Sequence, residues 1–312
     1  MWVNERLKKV LTKKRITFEE VATKWLEEKR LSVKLSTYAK YDYTINKYLI
    51  PRFKKKTLSR LKNYNFNELI TELKNNLSPK TIRDIICILR AILNYAEEEY
   101  ECIFKKKRMI APKLDAENLV ILSRKERRRL ERTCYSDNTL TSKAVIVALN
   151  TGMRIGEICA LQWKNIDIEK REIHVKFTLQ RIYDRKNKKT RIILDSPKTN
   201  TSVRDIPMTN KLYEIFEPLK KEFDPNSFFL TGTKDYIEPR RLQNIFRDLL
   251  FKSKVRKYKF HILRHTFASE CIEVGMDPKS LSEILGHSTV DITLNRYVHS
   301  SYKTKKKFLE RL

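Results

Sequence analysis

Thr151-Gly-Met-Arg-Ile-Gly-Glu-Ile-Cys-Ala-Leu-Gln-Trp163 divides the sequence into two unlike halves. Gly152 is the first of only five glycines in 312 residues, so the chain before it lacks the residue that tight turns most often need. The first half is therefore expected to be helical, and its apolar spacing agrees. Thr17-Phe-Glu-Glu20 reads as a capping box, with Phe18, Val21, Ala22, Trp25 and Leu26 on one face behind it. Ser36 opens a second helix whose stripe is Tyr38, Tyr41, Ile45, Tyr48 and Leu49, and Pro51 is expected to end it. Phe66, Leu69, Ile70 and Leu73 mark a shorter helix. Ser78-Pro79 then caps a long one carrying Ile82, Ile85, Leu89, Ile92 and Ala96. Residues 17–104 read as a compact four-helix unit with Lys-rich outer faces.

Downstream the pattern mixes. Residues 105–120 hold a Lys/Arg run and Pro112, which suits an interdomain linker able to follow a phosphate backbone. Ser123-Arg-Lys-Glu126 is a second capping box. Strand-like alternation follows in Glu172–Leu179, Thr190–Leu194 and Ser202–Ile206. Helical spacing resumes after about residue 240; Asp277-Pro278 starts one helix and Gly286 ends it. The fold class this implies is α+β, mainly helical: a helical N-terminal domain and a second domain, residues 121–298, with one small antiparallel sheet. Residues 1–16 form a basic extension and residues 299–312 a tail. In that tail Tyr302, Phe308, Leu309 and Leu312 make a partial apolar stripe among lysines.

Sixty-seven Lys and Arg face 38 Asp and Glu, a formal charge of +29. Such an excess needs a polyanion, and nucleic acid or an anionic membrane surface are the ordinary ones. The longest clean apolar run, Ala144–Leu149, is far short of the ~20 residues that span a bilayer. No membrane role is expected, and nucleic acid leads. Five scattered cysteines with no CxxC pair fit a reducing cytoplasm; Cys87, Cys159 and Cys271 fall in apolar helical patterns and read as buried.

Four patches carry potential chemistry. Arg154 and Glu157 lie three apart on a first helical turn. Lys198 sits in Pro197-Lys-Thr199 between two strand patterns, with Lys188 and Lys189 as rival turn lysines. His261 and Arg264 share a helical face, and His287 precedes Tyr297 by ten residues on a helix whose stripe is Val290, Leu294 and Tyr297. Each alone has a plainer reading. An Arg-x-x-Glu pair is usually a surface contact worth under ~1 kcal/mol. His261 and His265 at i,i+4 could suggest zinc, but a metalloprotease Glu and a third ligand are missing. A tyrosine at a helix end is more often core than catalyst.

In order and wording, however, TGMRIGEICALQW (151–163), HILRHTFAS (261–269) and LGHSTVDITLNRY (285–297) resemble the catalytic boxes of the tyrosine recombinase, or phage integrase, family. The resemblance spans roughly residues 15–300. It implies an N-terminal helical core-DNA-binding domain and a C-terminal catalytic domain. The family's Arg, Lys, His, Arg, His and Tyr fall on Arg154, Lys198, His261, Arg264, His287 and Tyr297, the last as nucleophile. Two guanidiniums suit a phosphodiester whose non-bridging oxygens gain charge in the transition state. The resemblance further implies that Lys198 protonates the departing 5′ oxygen and that a 3′-phosphotyrosine conserves the bond energy. No metal or other cofactor is required.

Glu157 is then either a support for Arg154 or a neighbour, or a plain surface acid. His265 is expected to stabilise its helix or a phosphate contact. Tyr183 and Tyr302 compete for the nucleophile's role without the ten-residue offset from His287, and His299 reads as solvated. The implied partners are double-stranded DNA, a homo-tetramer on two DNA sites reached through a trans-docking tail, and an accessory DNA-bending or directionality factor. The implied setting is a bacterial or phage cytoplasm, nucleoid-associated. The wording of the boxes is most like integrases of phages and conjugative transposons. Xer-type chromosome-dimer resolvases, type IB topoisomerases and non-cutting regulators are the alternatives. About sixteen residues precede the first helix, too few for the extra arm-binding domain that many such integrases carry.

Overall fold

The computed structural model describes residues 16–101, 103–105, 109–114, 119–185, 187–195, 202–297 and 310. The expectations attached to Lys198, His299, Tyr302 and the apolar-striped tail lie outside them. The chain divides into two compact units, one comprising residues up to 117 with 182–191, the other 118–181 with the chain from 192 onward.

In the first unit, α1 (Phe18–Ser32) starts at the anticipated capping box: Glu20 accepts from Thr17 N at 2.7 Å while the Thr17 hydroxyl accepts from Glu20 N. The second helix, α2 (Leu35–Thr44), does not stop at Pro51. It widens into a π turn, Ile45–Leu49, closed by Ile50 N donating to Ile45 O, and continues as Ile50–Phe53. The wide turn places Pro51 in the first turn of the next segment, where a missing N–H leaves no intrahelical bond unmade. A short helix, α3 (Leu58–Lys62), adds to the four expected. It buries Leu58 and Leu61 and precedes α4 (Phe66–Lys74) and α5 (Pro79–Tyr100). Phe18, Phe53, Leu61, Leu69, Ile85 and Ile92 are fully enclosed, each contributing about 1.5–3 kcal/mol through removal from water. Phe104 and Met109, beyond α5, join this core, and Arg90 donates to Met109 O at 2.6 Å. Cys87 corrects the sequence reading: it lies on the exposed side of α5, between the buried Ile86 and Ile88, whereas Cys134, Cys159 and Cys271 are buried.

The second unit is organised around α7 (Leu140–Thr151), which follows α6 (Arg124–Asp137). Ala144–Leu149 is buried on every side, so this apolar run is the middle of a core. No described helix is long and apolar enough to cross a membrane. Next come α8 (Ile155–Cys159), β1 (Ile166–Asp167) and β2 (Glu172–Val175). The strand expected over 172–179 breaks after Val175, so one anticipated sheet becomes two. β1, β2 and β5 (Arg204–Pro207) form an antiparallel sheet in the order β1-β2-β5, while β3 (Thr178–Asp184) and β4 (Lys189–Asp195) pair separately. Five helices follow: α9 (Asn210–Lys220), α10 (Pro239–Lys252), α11 (Ile262–Glu273), α12 (Pro278–Leu285) and α13 (Val290–Tyr297). Register matters for what comes next. Ile173 faces Ile206 and Val175 faces Arg204, so a guanidinium lies in the buried row of the sheet.

Candidate active site

Two glycines set the positions of two arginines. Gly152 ends α7 at φ 65°, a left-handed conformation that glycine adopts without strain, and a Cβ there would approach Leu285 and Phe267 to 2.6 Å. Gly286 ends α12 at φ 65°. Arg264, on α11 and only 2% exposed, donates to Gly152 O at 2.9 Å. Arg154, at the N-terminus of α8, donates to Gly286 O at 3.0 Å. Its side chain remains 37% exposed and so open to a ligand.

Glu157 ties this frame together. It is 2% exposed, which excludes the surface-acid reading. Its carboxylate accepts from Arg154 Nη1 at 2.6 Å and from Arg154 N at 2.9 Å. On the other side Arg204 grips it twice, at 2.9 and 3.2 Å. Burial alone would raise the Glu157 pKa, but Arg204 and then Arg154 outweigh it and hold the carboxyl well below the usual range. Arg204 also donates to Ile284 O and, at 3.1 Å, to Ser202 O. Sequence reasoning missed Arg204. Its signal was there: alternation from Ser202 to Ile206 puts Arg204 in the inward row beside Ile206, where an unpaired charge would be costly. Arg154, Arg204 and Arg264 surround one carboxylate, leaving the pocket net positive.

Histidines and a tyrosine complete it. His261 and His265 rings lie 4.4 Å apart, edge to face. His265 Nδ1 is 2.9 Å from the Tyr297 hydroxyl, a contact not anticipated for a residue expected to stabilise its helix or a phosphate contact. His287 Nδ1 bonds the Thr293 hydroxyl at 2.7 Å, and its ring lies parallel to that of Tyr297, 6.4 Å away. Burial, His261, Arg296 and Arg264 lower His265 to about 3. Burial, Arg264, Arg154 and Arg204 lower His287 to about 3 as well. Both rings are neutral at neutral pH. Tyr297 is 5% exposed; burial raises its phenol, opposed by Arg264 and Arg296. On α13 the inward residues are Thr293 and Tyr297, whereas Leu294 is exposed, so the expected apolar stripe is corrected to a polar-aromatic one.

Arg154, His261, Arg264, His287 and Tyr297 thus gather in the second unit with Glu157 and His265. Lys188 and Lys189 are at the tip of the β3–β4 hairpin, in the part belonging to the first unit. Tyr183 is there too, edge-on to Tyr43 at 5.7 Å. Among the described residues, the cluster able to hold a metal ion is Glu172, His174 and Asp205, with donor atoms within 4.8 Å of one another; His174 and Asp205 lie on the opposite face of the sheet from Arg204.

The model of the phage integrase family matches residues 120–304, more than half of the chain. The chain belongs to that family. A second model, phage integrase N-terminal SAM-like domain, matches residues 17–74 of this integrase-family protein. A tyrosine recombinase XerC-like protein of Caldanaerobacter subterraneus is 29% identical, over 95% of this chain and 83% of that one. The ICEBs1 integrase of Bacillus subtilis is 24% identical with the same coverages. The transposase from transposon Tn916 of Enterococcus faecalis is 26% identical over 62% of this chain, which spans 51% of its length. Among solved structures, the Tn1549 transposon integrase in complex with transposon right end DNA superposes with a TM-score of 0.75 at 26% identity, over 95% of this chain and 99% of that one. This integrase-family protein is a tyrosine recombinase, a DNA strand transferase of site-specific recombination, and DNA is its partner.

Proposed function

We propose that this recombinase integrates and excises a mobile element by cutting and rejoining double-stranded DNA through Tyr297. Arg154 and Arg264 fork onto the non-bridging oxygens of the scissile phosphate, where charge gathers in the transition state. His261 and His287 add hydrogen bonds to those oxygens. The Tyr297 oxygen bonds to phosphorus as the bond from phosphorus to the 5′ oxygen breaks. Lys198 gives its proton to that oxygen, and the 3′-phosphotyrosine is later reversed by an incoming 5′ hydroxyl. Four protomers act on two DNA sites, with the C-terminal tail docking between neighbours and an accessory DNA-bending or directionality factor where the element supplies one.

One observation carries this reading: a net-positive cluster with two glycine-anchored guanidiniums, one of them open to a ligand, holds a sheltered phenol beside two neutral histidines. The similar structures of the Tn1549 integrase with circular intermediate and transposon right end DNA support the mobile-element reading. The XerC-like relative, matched over most of its length, favours chromosome-dimer resolution as the second reading. A nicked suicide duplex bearing the element's end tests the first. It should trap a covalent adduct on Tyr297, and Tyr297→Phe should bind the duplex with unchanged affinity but form none. An adduct surviving in Tyr297→Phe places the nucleophile elsewhere.

A further inference from the structure

His265 is held from two sides. Arg296 Nη2 lies 3.4 Å from its Nε2. A guanidinium only donates, so Nε2 is the acceptor of that contact. In a neutral imidazole the single proton is then on Nδ1, the nitrogen 2.9 Å from the Tyr297 hydroxyl oxygen. We propose that His265 is a further catalytic residue, whose Nδ1–H donates to the phenol oxygen of Tyr297 and stabilises the charge that oxygen carries as it attacks phosphorus and as it departs in religation. The proposal rests on Tyr297 being the nucleophile.

The groups facing the ring fit a neutral donor and disfavour an imidazolium. His261 at the N-cap of α11 and Arg264 on it, Arg296 and Tyr297 from α13, and His287 from the segment after α12 all face the ring. Two guanidiniums beside the imidazole oppose a third positive charge. His265 therefore takes no proton in the reaction. The phenolic proton passes to water, the bond from Tyr297 oxygen to phosphorus forms, and the 5′ oxygen departs with a proton from the lysine. Arg296 acts one step back, as a positioning residue that selects the tautomer.

Amide replacements separate donation from proton acceptance. The Asn nitrogen reaches the place of Nδ1 and the Gln nitrogen that of Nε2; neither titrates. Single-turnover cleavage of the nicked suicide duplex by the full chain is compared for wild type, His265→Asn, His265→Gln, His265→Phe and Arg296→Ala. Thermal melts and DNA affinity serve as controls for folding. His265→Asn should cleave within about tenfold of wild type with the same pH profile. His265→Gln and His265→Phe should fall by roughly 10²–10³-fold at unchanged DNA affinity, the loss typical of one donor to a developing oxyanion. Arg296→Ala should slow the wild type yet leave His265→Asn unaffected, because an amide has no tautomer to select.

His265→Asn as slow as His265→Phe, with a flattened pH profile, overturns donation in favour of proton acceptance. His265→Phe at wild-type rate removes any role in the chemistry. The Tyr297→Phe control keeps the two readings apart: an adduct there defeats the nucleophile assignment itself, whereas an indifferent His265 defeats only the donor.

Discussion

Replacing Glu157 with alanine removes the one carboxylate among three guanidiniums. Were the pair with Arg154 at the surface, the cost would be under ~1 kcal/mol. The structure gives a different magnitude. Glu157 is 2% exposed and the Arg204 side chain 5%, so the substitution strands a buried cation, for which about 3–5 kcal/mol is typical. Arg204 keeps its bonds to Ile284 O and Ser202 O, which favours the low end, about 3 kcal/mol. At roughly 2–4 °C per kcal/mol for a unit of this size, the melting temperature should fall by roughly 6–12 °C. Differential scanning calorimetry measures this directly. A paired substitution, Glu157→Met with Arg204→Met, removes both charges and should recover most of the stability, since apolar replacement of a buried pair is often neutral. Cleavage should not recover, because Arg154 then keeps Gly286 O but loses its carboxylate anchor. A melting point lowered by less than about 2 °C, or a paired variant cleaving at wild-type rate, would refute the strut.

DNA affinity should fall steeply with salt: a protein making six to ten phosphate contacts loses about 10³–10⁵ between 50 and 200 mM, and a flat titration would detach the +29 charge from DNA binding. Cleavage should persist in excess EDTA, because guanidiniums supply the charge stabilisation; loss of the adduct there would point to a metal-dependent step. Acid should destabilise the fold before the carboxylates titrate. His265 and His287 lie near 3 when folded against an ordinary 6.5, so the unfolded chain takes up protons first. The stability they contribute is complete above about pH 6.5 and is lost as pH falls toward 3. Urea midpoints at pH 7.5, 6 and 5 should decline in that order; a midpoint rising below pH 6.5 would contradict neutral, sheltered rings.

What could be read from the sequence followed physical regularity. Helices with a periodic apolar stripe and a capping residue, such as those at Thr17, Ser78 and Ser123, were visible because cap and stripe are local. The course of α2 past Pro51 was not, since a π turn carries no local signal comparable to a cap or an apolar stripe. The break after Val175 was hidden because alternation runs unbroken through Lys176 and Phe177. Among site residues, Arg154, Arg264, His261, His287 and Tyr297 stood in long boxes. Arg204 lay in a short strand whose alternation only hints at an inward arginine, and pairing with Val175 shows that it faces inward. The partner of His265 was illegible for the same reason: Tyr297 is 32 residues away, and the contact exists only once α11 and α13 pack.

Gly152 and Gly286 hold Arg264 and Arg154 through main-chain carbonyls. Guanidinium placement therefore leans on two backbone turns together with the Glu157 carboxylate. Side chains away from this frame can then diverge while the two arginines keep their places. The same economy makes the two glycines the poorest places to introduce diversity, for any side chain there disturbs a helix end and the anchor of an arginine at once.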